Sequence, residues 1–470
     1  MREHEQSLPT ILVILGATGH LMATKLASSL FRLWEKGLLP PLFQVVGFAK
    51  DDLTEEQFRD MVKDMVNGKA EASSLERFSK IFVYRKGFFE EEEGYKQLAG
   101  SLGMKDKEWQ VCSNKLFYIA ASPQFYETIF RKLESSGLTK PCSPEEGWTR
   151  VIVEKPFGKD LKTAENLDRL FGKLFREEQI YRMDHYLGKE TVQNILAFRF
   201  SNSFLEPAWN KEGIERVRVR LLEREGVGGR GAFYEGMGAL RDVGQNHILQ
   251  MLALFTMDRP QEFAADDIRK RKAEILETLP RFSDKDVERW TLRGQYEKYR
   301  KEKDVDPGSE TETYFRIRTF LNHPNWKGVP VELESGKGLG ENLVEVEITF
   351  RHLTPCLCPD KNNHYRNVLY YHVAPTEKVE ISMWAKKPGT EMALEEKEFS
   401  FDYRQAFVDS EVDAYEKLLL NAVQGDQTSF VSTEEIAAEW KFVDPILRAW
   451  EKNAAPLVFY QGKEILERPL

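Results

Sequence analysis

The chain has 470 residues, a formal net charge of −9 and a hydrophobic content of 41%. This length exceeds what one ordinary hydrophobic core organises, so we predict two domains. Because acidic and basic residues are interspersed and the net charge is negative, the composition argues against a nucleic-acid-binding surface and favours a soluble protein. The longest apolar runs, such as 248–255, are far shorter than the roughly 18 residues of a membrane span, so we predict no membrane partner.

Cysteine usage and the start of the chain bear on its compartment. The four cysteines are too few and too scattered for a disulfide framework, which is typical of a protein in the reducing cytosol. Residues 1–6 are charged and lack the apolar region of a secretory signal. We therefore expect a cytoplasmic protein.

The first predicted elements are a buried strand, a glycine turn and a helix. The run 10–15 is apolar and β-branched, like strands covered on both faces of a parallel sheet. Two glycines follow, and apolar residues then recur at helical spacing over 21–33 until Gly37. Such a unit points backbone N–H groups at a dinucleotide pyrophosphate. The predicted cofactor-binding residues of the turn are Gly16, Ala17, Thr18, Gly19, His20 and Leu21.

A second predicted strand, 43–48, ends where a dinucleotide-binding protein reads the adenosine ribose. An acid there binds the ribose hydroxyls of NAD, whereas a base tolerates the 2′-phosphate of NADP. Ala49 is followed by Lys50, Asp51 and Asp52, so these residues leave both cofactors open. If the strand continues past Ala49, Lys50 and Asp52 share one face and Asp51 takes the other.

The remaining elements divide the chain in two. Buried strands at 115–120 and 150–153, with a helix at 124–133 between them, complete a doubly wound α/β domain. From about Gly213 the predicted strands follow one another without helices, which indicates an antiparallel sheet in an α+β domain. We place the boundary before Asp184, which gives domains 1–183 and 184–470. The later predicted strands are 214–221, 344–350, 368–373 and 379–384.

Residues 184–190 concentrate chemistry at the predicted domain junction, a favoured place for pockets. They supply an anion-binding lysine, an imidazole, a phenol and two carboxylates beside a glycine. This is the inventory of a site for a phosphorylated substrate that must also lose a proton. The residues in question are Asp184, His185, Tyr186, Lys189 and Glu190.

These residues and their neighbours at 180–182 and 192–194 resemble the signature of the glucose-6-phosphate dehydrogenase family. Further segments resemble the family in the same order over roughly 10–460; they are 154–158, 223–231, 241–251, 326–337 and 413–430. The resemblance implies a Rossmann-like domain followed by an α+β domain built on a large, mainly antiparallel sheet. It implies NADP-dependent oxidation of glucose 6-phosphate to the 6-phospho-glucono-lactone, the first step of the oxidative pentose phosphate pathway, in a homodimer or homotetramer.

The resemblance also assigns roles to single residues. His247 is the base that accepts the hydroxyl proton, which suits an imidazole, and Asp184 bonds its other ring nitrogen. Lys50 stands where the family often has an arginine for the 2′-phosphate. The 6-phosphate is held by His185, Tyr186 and Lys189, and the sugar hydroxyls by Glu223, Asp242, Lys337 and Lys155, which also touches the cofactor. On an ideal α-helix Asp242 and His247 point about 140° apart, so periodicity does not bring them together.

The chain departs from the family pattern at a few positions. His20 replaces an aspartate, Met22 an alanine, and Asn342 a second basic residue. His372 occupies one of the arginine positions with which some family members bind a structural NADP, so we expect no such nucleotide.

Two questions on function remain at this stage. A metal site is one, because His352, Cys356, Cys358 and His364 have ligand types, but the cysteine spacing is not that of zinc sites and we predict no metal. The other is the activity itself. A non-catalytic binding or assembly subunit would be expected to lose His247, Asp184 or Lys189, all of which are present. A dehydrogenase of another hexose 6-phosphate stays an alternative.

Overall fold

The structure is a computed structural model that describes residues 8–66, 68, 71–141, 147–352, 355, 365–407 and 412–469. The chain forms two compact units. The first comprises Met1–Gly158, Lys162–Gly188 and Val412–Thr433, and the second comprises Lys159–Leu161, Lys189–Glu411 and Glu434–Leu470. Two segments assigned to the second predicted domain therefore pack with the first unit, namely residues 184–188 and 412–433.

The first unit is built on a six-stranded parallel sheet. Its strands are β1 Thr10–Leu15, β2 Phe43–Ala49, β3 Phe82–Lys86, β4 Asn114–Ile119, β5 Thr149–Glu154 and β6 Ile180–Met183. Their order in the sheet is β3-β2-β1-β4-β5-β6, the doubly wound order of dinucleotide-binding domains. The predicted fold class is confirmed, although the sequence did not reveal β3 or β6.

Helices cover this sheet. They are the π-helix Met22–Leu26, which continues as Ala27–Glu35, then Glu55–Val66, Ala72–Ser79, Glu92–Trp109, Tyr126–Ser135, Leu161–Leu174 and Ala414–Gln424. The last of them returns from late in the chain. Arg150 fixes it by donating hydrogen bonds to the carbonyl oxygens of Ala422 and Val423, at 3.0 and 2.9 Å.

Cys112, in the connection that leads into β4, is disulfide-bonded. A single disulfide is not the disulfide framework that the number and spacing of the cysteines argue against. The connection into the neighbouring strand β5 passes close by, since a Cβ on Gly147 would lie 2.7 Å from the Cys112 carbonyl oxygen. Sheet topology thus brings together segments that sequence spacing separates.

The second unit contains a nine-stranded sheet. Its strands are β7 Ile214–Leu222, β8 Thr291–Tyr296, β9 Tyr314–Thr319, β10 Val331–Gly336, β11 Leu343–Phe350, β12 Val368–Ala374, β13 Lys378–Lys386, β14 Leu394–Asp402 and β15 Leu457–Tyr460. The order is β14-β13-β12-β11-β7-β10-β9-β8-β15. Only the pairs β7–β10 and β8–β15 are parallel, so the sheet is mainly antiparallel, as predicted.

The helices of this unit are Glu190–Ser201, Gly231–Tyr234, the π-helix Leu240–Ile248, Leu249–Thr256, Ala265–Leu276, Asp284–Trp290, Tyr403–Ala406 and Thr433–Glu451, whose first residue belongs to the first unit. Strand β7 alternates between the two faces of the sheet, with Val217 and Val219 in the core. Its arginines lie on the other face, where Arg218 pairs with Glu334 of β10 at 2.8 Å. Among the described residues, no helix has both the length and the apolar character of a membrane span.

Candidate active site

The glycine turn lies between β1 and the π-helix Met22–Leu26. The Gly16 N–H donates to the Phe48 carbonyl oxygen at 2.8 Å, and the Gly19 N–H donates to Gly16 at 3.0 Å. Gly16 has a φ of +97°, and a Cβ there would lie 2.4 Å from the Ala120 carbonyl oxygen, so only glycine fits. The turn stands between β1 and β4, where the strand order reverses and doubly wound proteins bind dinucleotides.

The other residues of the turn differ in their surroundings. Ala17 is buried, whereas Thr18 and Leu21 are half-buried. His20 is exposed, and its carbonyl oxygen accepts a hydrogen bond from the Thr24 hydroxyl at 2.8 Å. Met22 is fully buried in the core of the first unit, so the larger side chain at this position fills space that apolar neighbours enclose.

Beyond β2, the carboxylate that faces the glycine turn is that of Asp51. The Thr18 hydroxyl donates to Asp51 Oδ2 at 2.6 Å, while Lys50 is exposed. Since β2 ends at Ala49, the strand alternation considered for Lys50 and Asp51 does not apply. The Tyr84 hydroxyl donates to the Ala49 and Asp51 carbonyl oxygens at 3.0 and 2.7 Å, which fixes this bend.

At the end of β5, Glu154 precedes the predicted substrate lysine Lys155. The Tyr118 hydroxyl donates to Glu154 Oε1 at 2.6 Å, and Tyr415 is a second hydrogen-bond partner of the carboxyl group. Burial raises the pKa of Glu154 to about 7, against the opposing effects of Tyr118, Lys155 and Tyr415. The Lys155–Pro156 peptide bond is cis. Lys155 thus follows a carboxyl group that titrates near neutrality.

The segment after β6 forms the short helix His185–Gly188. Asp184 is 1% exposed and begins it, because its Oδ1 accepts the Tyr186 N–H at 2.9 Å. The rings of His185 and Tyr186 lie edge to face, 5.1 Å apart. Gly188 lets the helix Ala414–Gln424 come close, since a Cβ there would lie 2.6 Å from the Ala414 carbonyl oxygen. The predicted phosphate ligands His185 and Tyr186 therefore stand on a rigidly held turn.

Several residues near this turn were not singled out by the sequence. The Tyr415 ring stacks on His185 with centroids 6.1 Å apart, and Lys25 Nζ lies 5.7 Å from the Tyr415 ring centroid. Tyr415 also contacts Glu154, so it joins the predicted phosphate ligand to the strand end that carries Lys155. Tyr415 lies 230 residues after His185, so the sequence carries no sign of this contact beyond the family resemblance of residues 413–416.

In the second unit, three predicted sugar-binding residues come together. Lys337 is 3% exposed and forms an ion pair and hydrogen bond with Glu223. Its Nζ lies 3.7 Å from Asp242 Oδ2 and 5.4 Å from the centroid of the Tyr234 ring. The Tyr460 hydroxyl fixes the Lys337 carbonyl oxygen at 2.6 Å. The Lys337 ammonium group can donate hydrogen bonds to sugar hydroxyls, and the two carboxylates can accept them.

The predicted base, His247, lies in the π-helix Leu240–Ile248 and is 1% exposed. A π-helix bonds residue i to residue i+5, so Asp242 and His247, five residues apart, lie on nearly the same face. The angle of about 140° expected for an α-helix therefore does not apply here. At the start of this helix, Glu312 Oε1 accepts the Leu240 N–H at 3.0 Å, which satisfies one of its unpaired donors.

Two further predictions concern Asn342 and the suggested metal cluster. Asn342 Oδ1 accepts the Arg224 N–H at 2.8 Å and so supports the loop that follows Glu223. The residue that departs from the family pattern thus has a structural contact. Of the suggested metal cluster, Cys356, Cys358 and His364 lie outside the described residues.

Comparison with known proteins places the chain in a family. The profile described as "Glucose-6-phosphate dehydrogenase, NAD binding domain" matches residues 13–194, and that described as "Glucose-6-phosphate dehydrogenase, C-terminal domain" matches residues 196–465. The chain belongs to the glucose-6-phosphate dehydrogenase family. The resemblance inferred from the sequence motifs is confirmed.

Individual family members agree over nearly the whole chain. The glucose-6-phosphate 1-dehydrogenase of Chlamydia muridarum is 36% identical over 468 residues, 94% of this chain and 91% of its own. Glucose-6-phosphate 1-dehydrogenase 5, cytoplasmic, of Arabidopsis thaliana is 34% identical over 96% of this chain and 88% of its own. A solved glucose-6-phosphate dehydrogenase in complex with its substrate glucose-6-phosphate has a TM-score of 0.90 and 32% identity, covering 98% of this chain and 97% of its own.

The Glu154 carboxyl group predicts a pH-dependent stability. Its pKa rises from an ordinary value of 4.5 to about 7 on folding, so the stability it contributes is complete below pH 4.5 and is lost as the pH rises through 7. The loss amounts to at most roughly 3 kcal/mol. Glu154→Gln removes the titration, so the unfolding free energy of the variant relative to wild type should increase between pH 5 and pH 8. Denaturant unfolding at both pH values measures this difference, and a pH-independent difference would show that Glu154 does not titrate in this range.

Proposed function

We propose that this chain oxidises glucose 6-phosphate at C1 to the 6-phospho-glucono-lactone and transfers the hydride to a nicotinamide dinucleotide. This is the first step of the oxidative pentose phosphate pathway. The observation that carries the proposal is the cluster of Lys337, Glu223 and Asp242, because Asp242 belongs to the same π-helix as the base candidate His247. Support also comes from the family relative solved with glucose-6-phosphate bound, which shares the fold over nearly the whole chain.

The proposed reaction needs a base and a hydride acceptor. His247 accepts the proton of the C1 hydroxyl, which leaves electrons on that oxygen to form the lactone carbonyl as the hydride departs. The bound nicotinamide supplies the acceptor for the hydride. We assign to Asp184 the stabilisation of the imidazolium that forms. A buried histidine gains from such a partner, because an imidazolium out of water is otherwise costly.

Binding of the sugar phosphate is assigned to two sets of residues. We propose that His185, Tyr186 and Lys189 hold the 6-phosphate, with Lys189 supplying the formal positive charge. We propose that the sugar hydroxyls contact Glu223, Asp242, Lys337 and Lys155. In this proposal residues 1–183 carry the cofactor site and residues 184–470 carry most of the sugar site and the subunit interface.

Lys50 and Asp51 favour different cofactors. We propose NADP as the preferred cofactor, with Lys50 as the partner of the 2′-phosphate and the backbone of the turn at Gly16, Ala17, Thr18, Gly19, His20 and Leu21 for the pyrophosphate. The contact between Thr18 and Asp51 favours NAD as a second cofactor, because it holds a carboxylate beside the turn where the ribose hydroxyls would be read.

Two substitutions test whether Lys50 recognises the 2′-phosphate of NADP and whether Asp51 recognises the ribose of NAD. Lys50→Ala is expected to raise KM for NADP several-fold and to leave KM for NAD nearly unchanged, since an exposed lysine contributes a screened contact. Asp51→Asn is expected to raise KM for NAD instead. Both constants would be measured for both variants at fixed ionic strength. If Lys50→Ala keeps the wild-type preference for NADP, Lys50 does not recognise the 2′-phosphate. If the wild-type protein prefers NAD, Asp51 is the residue that recognises the ribose.

We further propose a homodimer or homotetramer in the cytoplasm. The end of the large sheet supports self-association. On β13 and the edge strand β14, the side chains of Met383, Phe399 and Phe401 are exposed. Apolar side chains on a sheet edge usually need cover. Sedimentation velocity of the whole chain reports the state directly.

The activity is tested by one panel of assays. The purified chain is incubated with glucose 6-phosphate, its epimeric hexose 6-phosphates and free glucose, each with NADP and with NAD, while absorbance of the reduced nicotinamide is followed. The proposal expects the highest kcat/KM with glucose 6-phosphate. Preference for an epimer would move the substrate assignment, and no reduction with any sugar would support a binding or assembly role.

A further inference from the structure

A buried polar cluster lies behind the catalytic face of the π-helix Leu240–Ile248, and the proposed reaction does not use it. Gln245 in that helix and Gln250 just after it are 2% and 0% exposed, and Glu439, on the helix Thr433–Glu451, is 1% exposed. Gln245 Nε2 donates to Glu439 Oε2 at 2.9 Å, and Gln250 Nε2 donates to Glu439 Oε1 at 2.7 Å. One carboxylate thus accepts from two glutamines that are five residues apart.

That spacing matches the spacing of the catalytic pair. In an α-helix, residues five apart point about 140° away from each other, whereas the i to i+5 repeat of a π-helix brings them to one side. Gln245 lies in the π-helix and Gln250 in the α-helix Leu249–Thr256 that follows, so the two glutamines connect Glu439 to both sides of the point where the π-register ends. The pair Gln245 and Gln250 is offset by three residues from the pair Asp242 and His247. The glutamines therefore face Glu439, and Asp242 and His247 lie on a different side of the helix.

A register of this kind needs support from outside the helix. π-Helices are rare because their hydrogen-bond geometry is less favourable, and strained backbone persists where its surroundings determine it. Burying a carboxylate is also costly unless it is well hydrogen-bonded. Glu439 meets the second condition, because side-chain amide groups of both glutamines donate to its carboxylate.

We propose that Glu439 is a positioning residue that holds the π-register of Leu240–Ile248 and thereby aligns His247 with Asp242. The proposal rests on the roles assigned to His247 and Asp242 in the reaction. Glu439 touches neither substrate nor cofactor in this scheme. It acts through its hydrogen bonds with Gln245 and Gln250.

The test compares two buried glutamates on one helix. Glu439→Gln leaves one acceptor oxygen for two amide donors and is expected to lower kcat about ten-fold. Glu435→Gln is the matched control, because Glu435 is equally buried and bonds Gln250 and Lys272, at 2.9 and 2.8 Å, but supports only one of the two glutamines. We expect the control to lose stability while kcat stays within about two-fold of wild type.

A swap of partners tests the register itself. In the double variant Gln245→Glu with Glu439→Gln, the amide and carboxylate exchange places, so residue 439 can donate to position 245 and accept from Gln250. We expect kcat to recover to within about three-fold of wild type. A crystal structure of Glu439→Gln should show the segment relaxed toward α-helical bonding. Unchanged kcat in Glu439→Gln, equal loss in Glu435→Gln, or a retained π-helix in the variant would each overturn the proposal.

These outcomes differ from a failure of the proposed function. If His247→Asn keeps wild-type turnover, the assignment of the base is wrong whatever Glu439 does. The helical register in the Glu439→Gln crystal structure is read without any activity. The inference on Glu439 therefore stands or falls on its own measurement.

Discussion

Replacing His247 with asparagine should lower kcat for glucose 6-phosphate oxidation by roughly 10²- to 10⁴-fold, the usual contribution of a general base. KM should change much less, because the base acts chiefly in the transition state. Asparagine keeps a hydrogen-bonding group at a position that is 1% exposed, so the packing of the π-helix is largely preserved. Steady-state rates at saturating cofactor, measured between pH 6 and pH 9, give kcat and its pH dependence.

Two variants frame this measurement. Asp184→Asn should reduce kcat by less than His247→Asn does, because it weakens stabilisation of the imidazolium without removing the base. His323→Asn makes the same chemical exchange at a histidine that pairs with Asp258 at 3.3 Å, outside the proposed site, and should leave kcat unchanged. Near-full turnover in His247→Asn would remove His247 from the role of the base.

In the parallel sheet, strands that contain a continuous apolar run could be predicted from the sequence, whereas β3 and β6 could not. The predicted first strand coincides with β1, Thr10–Leu15, because an apolar β-branched run has few alternatives in a parallel sheet. Strand β3 ends in Arg85 and Lys86, and β6 contains Arg182, which is buried by pairs with Asp168 and Glu177 at 2.8 Å. These charged residues interrupt the apolar pattern inside both strands, and the ion pairs of Arg182 with Asp168 and Glu177 form only in the folded chain.

The candidate site was predicted as a set of residues but not as a geometry. Motif resemblance named Asp242 and His247, yet α-helical periodicity would have separated them. Glu312 and Glu439, which accept hydrogen bonds from the π-helix, lie 72 and 194 residues from their partners Leu240 and Gln245. Local sequence carries no record of such contacts, because they form only when the sheet and the later helices are in place.

Tertiary packing also determines which residues surround the proposed phosphate ligand His185. The helix Ala414–Gln424 packs with the first unit, and its Tyr415 stacks on His185 and contacts Glu154. Changes in the sequence pattern assigned this helix to the second predicted domain. The preceding predicted strands give no sign that the chain returns to the first unit. Contacts of high sequence separation thus build the surroundings of residues that the sequence had identified.

Lys189→Ala should weaken glucose 6-phosphate binding by roughly ten- to a hundredfold or more, because a charge-assisted contact is typically worth about 1.5–3 kcal/mol. Lys189 is the N-cap of the helix Glu190–Ser201, and its side chain makes no capping hydrogen bond. The positive dipole at the N-terminus of this helix is unchanged by the substitution.

The measurement of Lys189→Ala compares two substrates in one variant. KM for glucose 6-phosphate should rise, whereas the rate with free glucose, which lacks the phosphate, should stay near its wild-type value. Lys270→Ala removes a lysine of the same unit from an exposed pair with Glu274, at 3.9 Å, and should change neither constant. Equal losses for both sugars in Lys189→Ala would show that the lysine supports the structure instead of binding the phosphate, and the anion site would then have to be sought around His185 and Tyr186 alone.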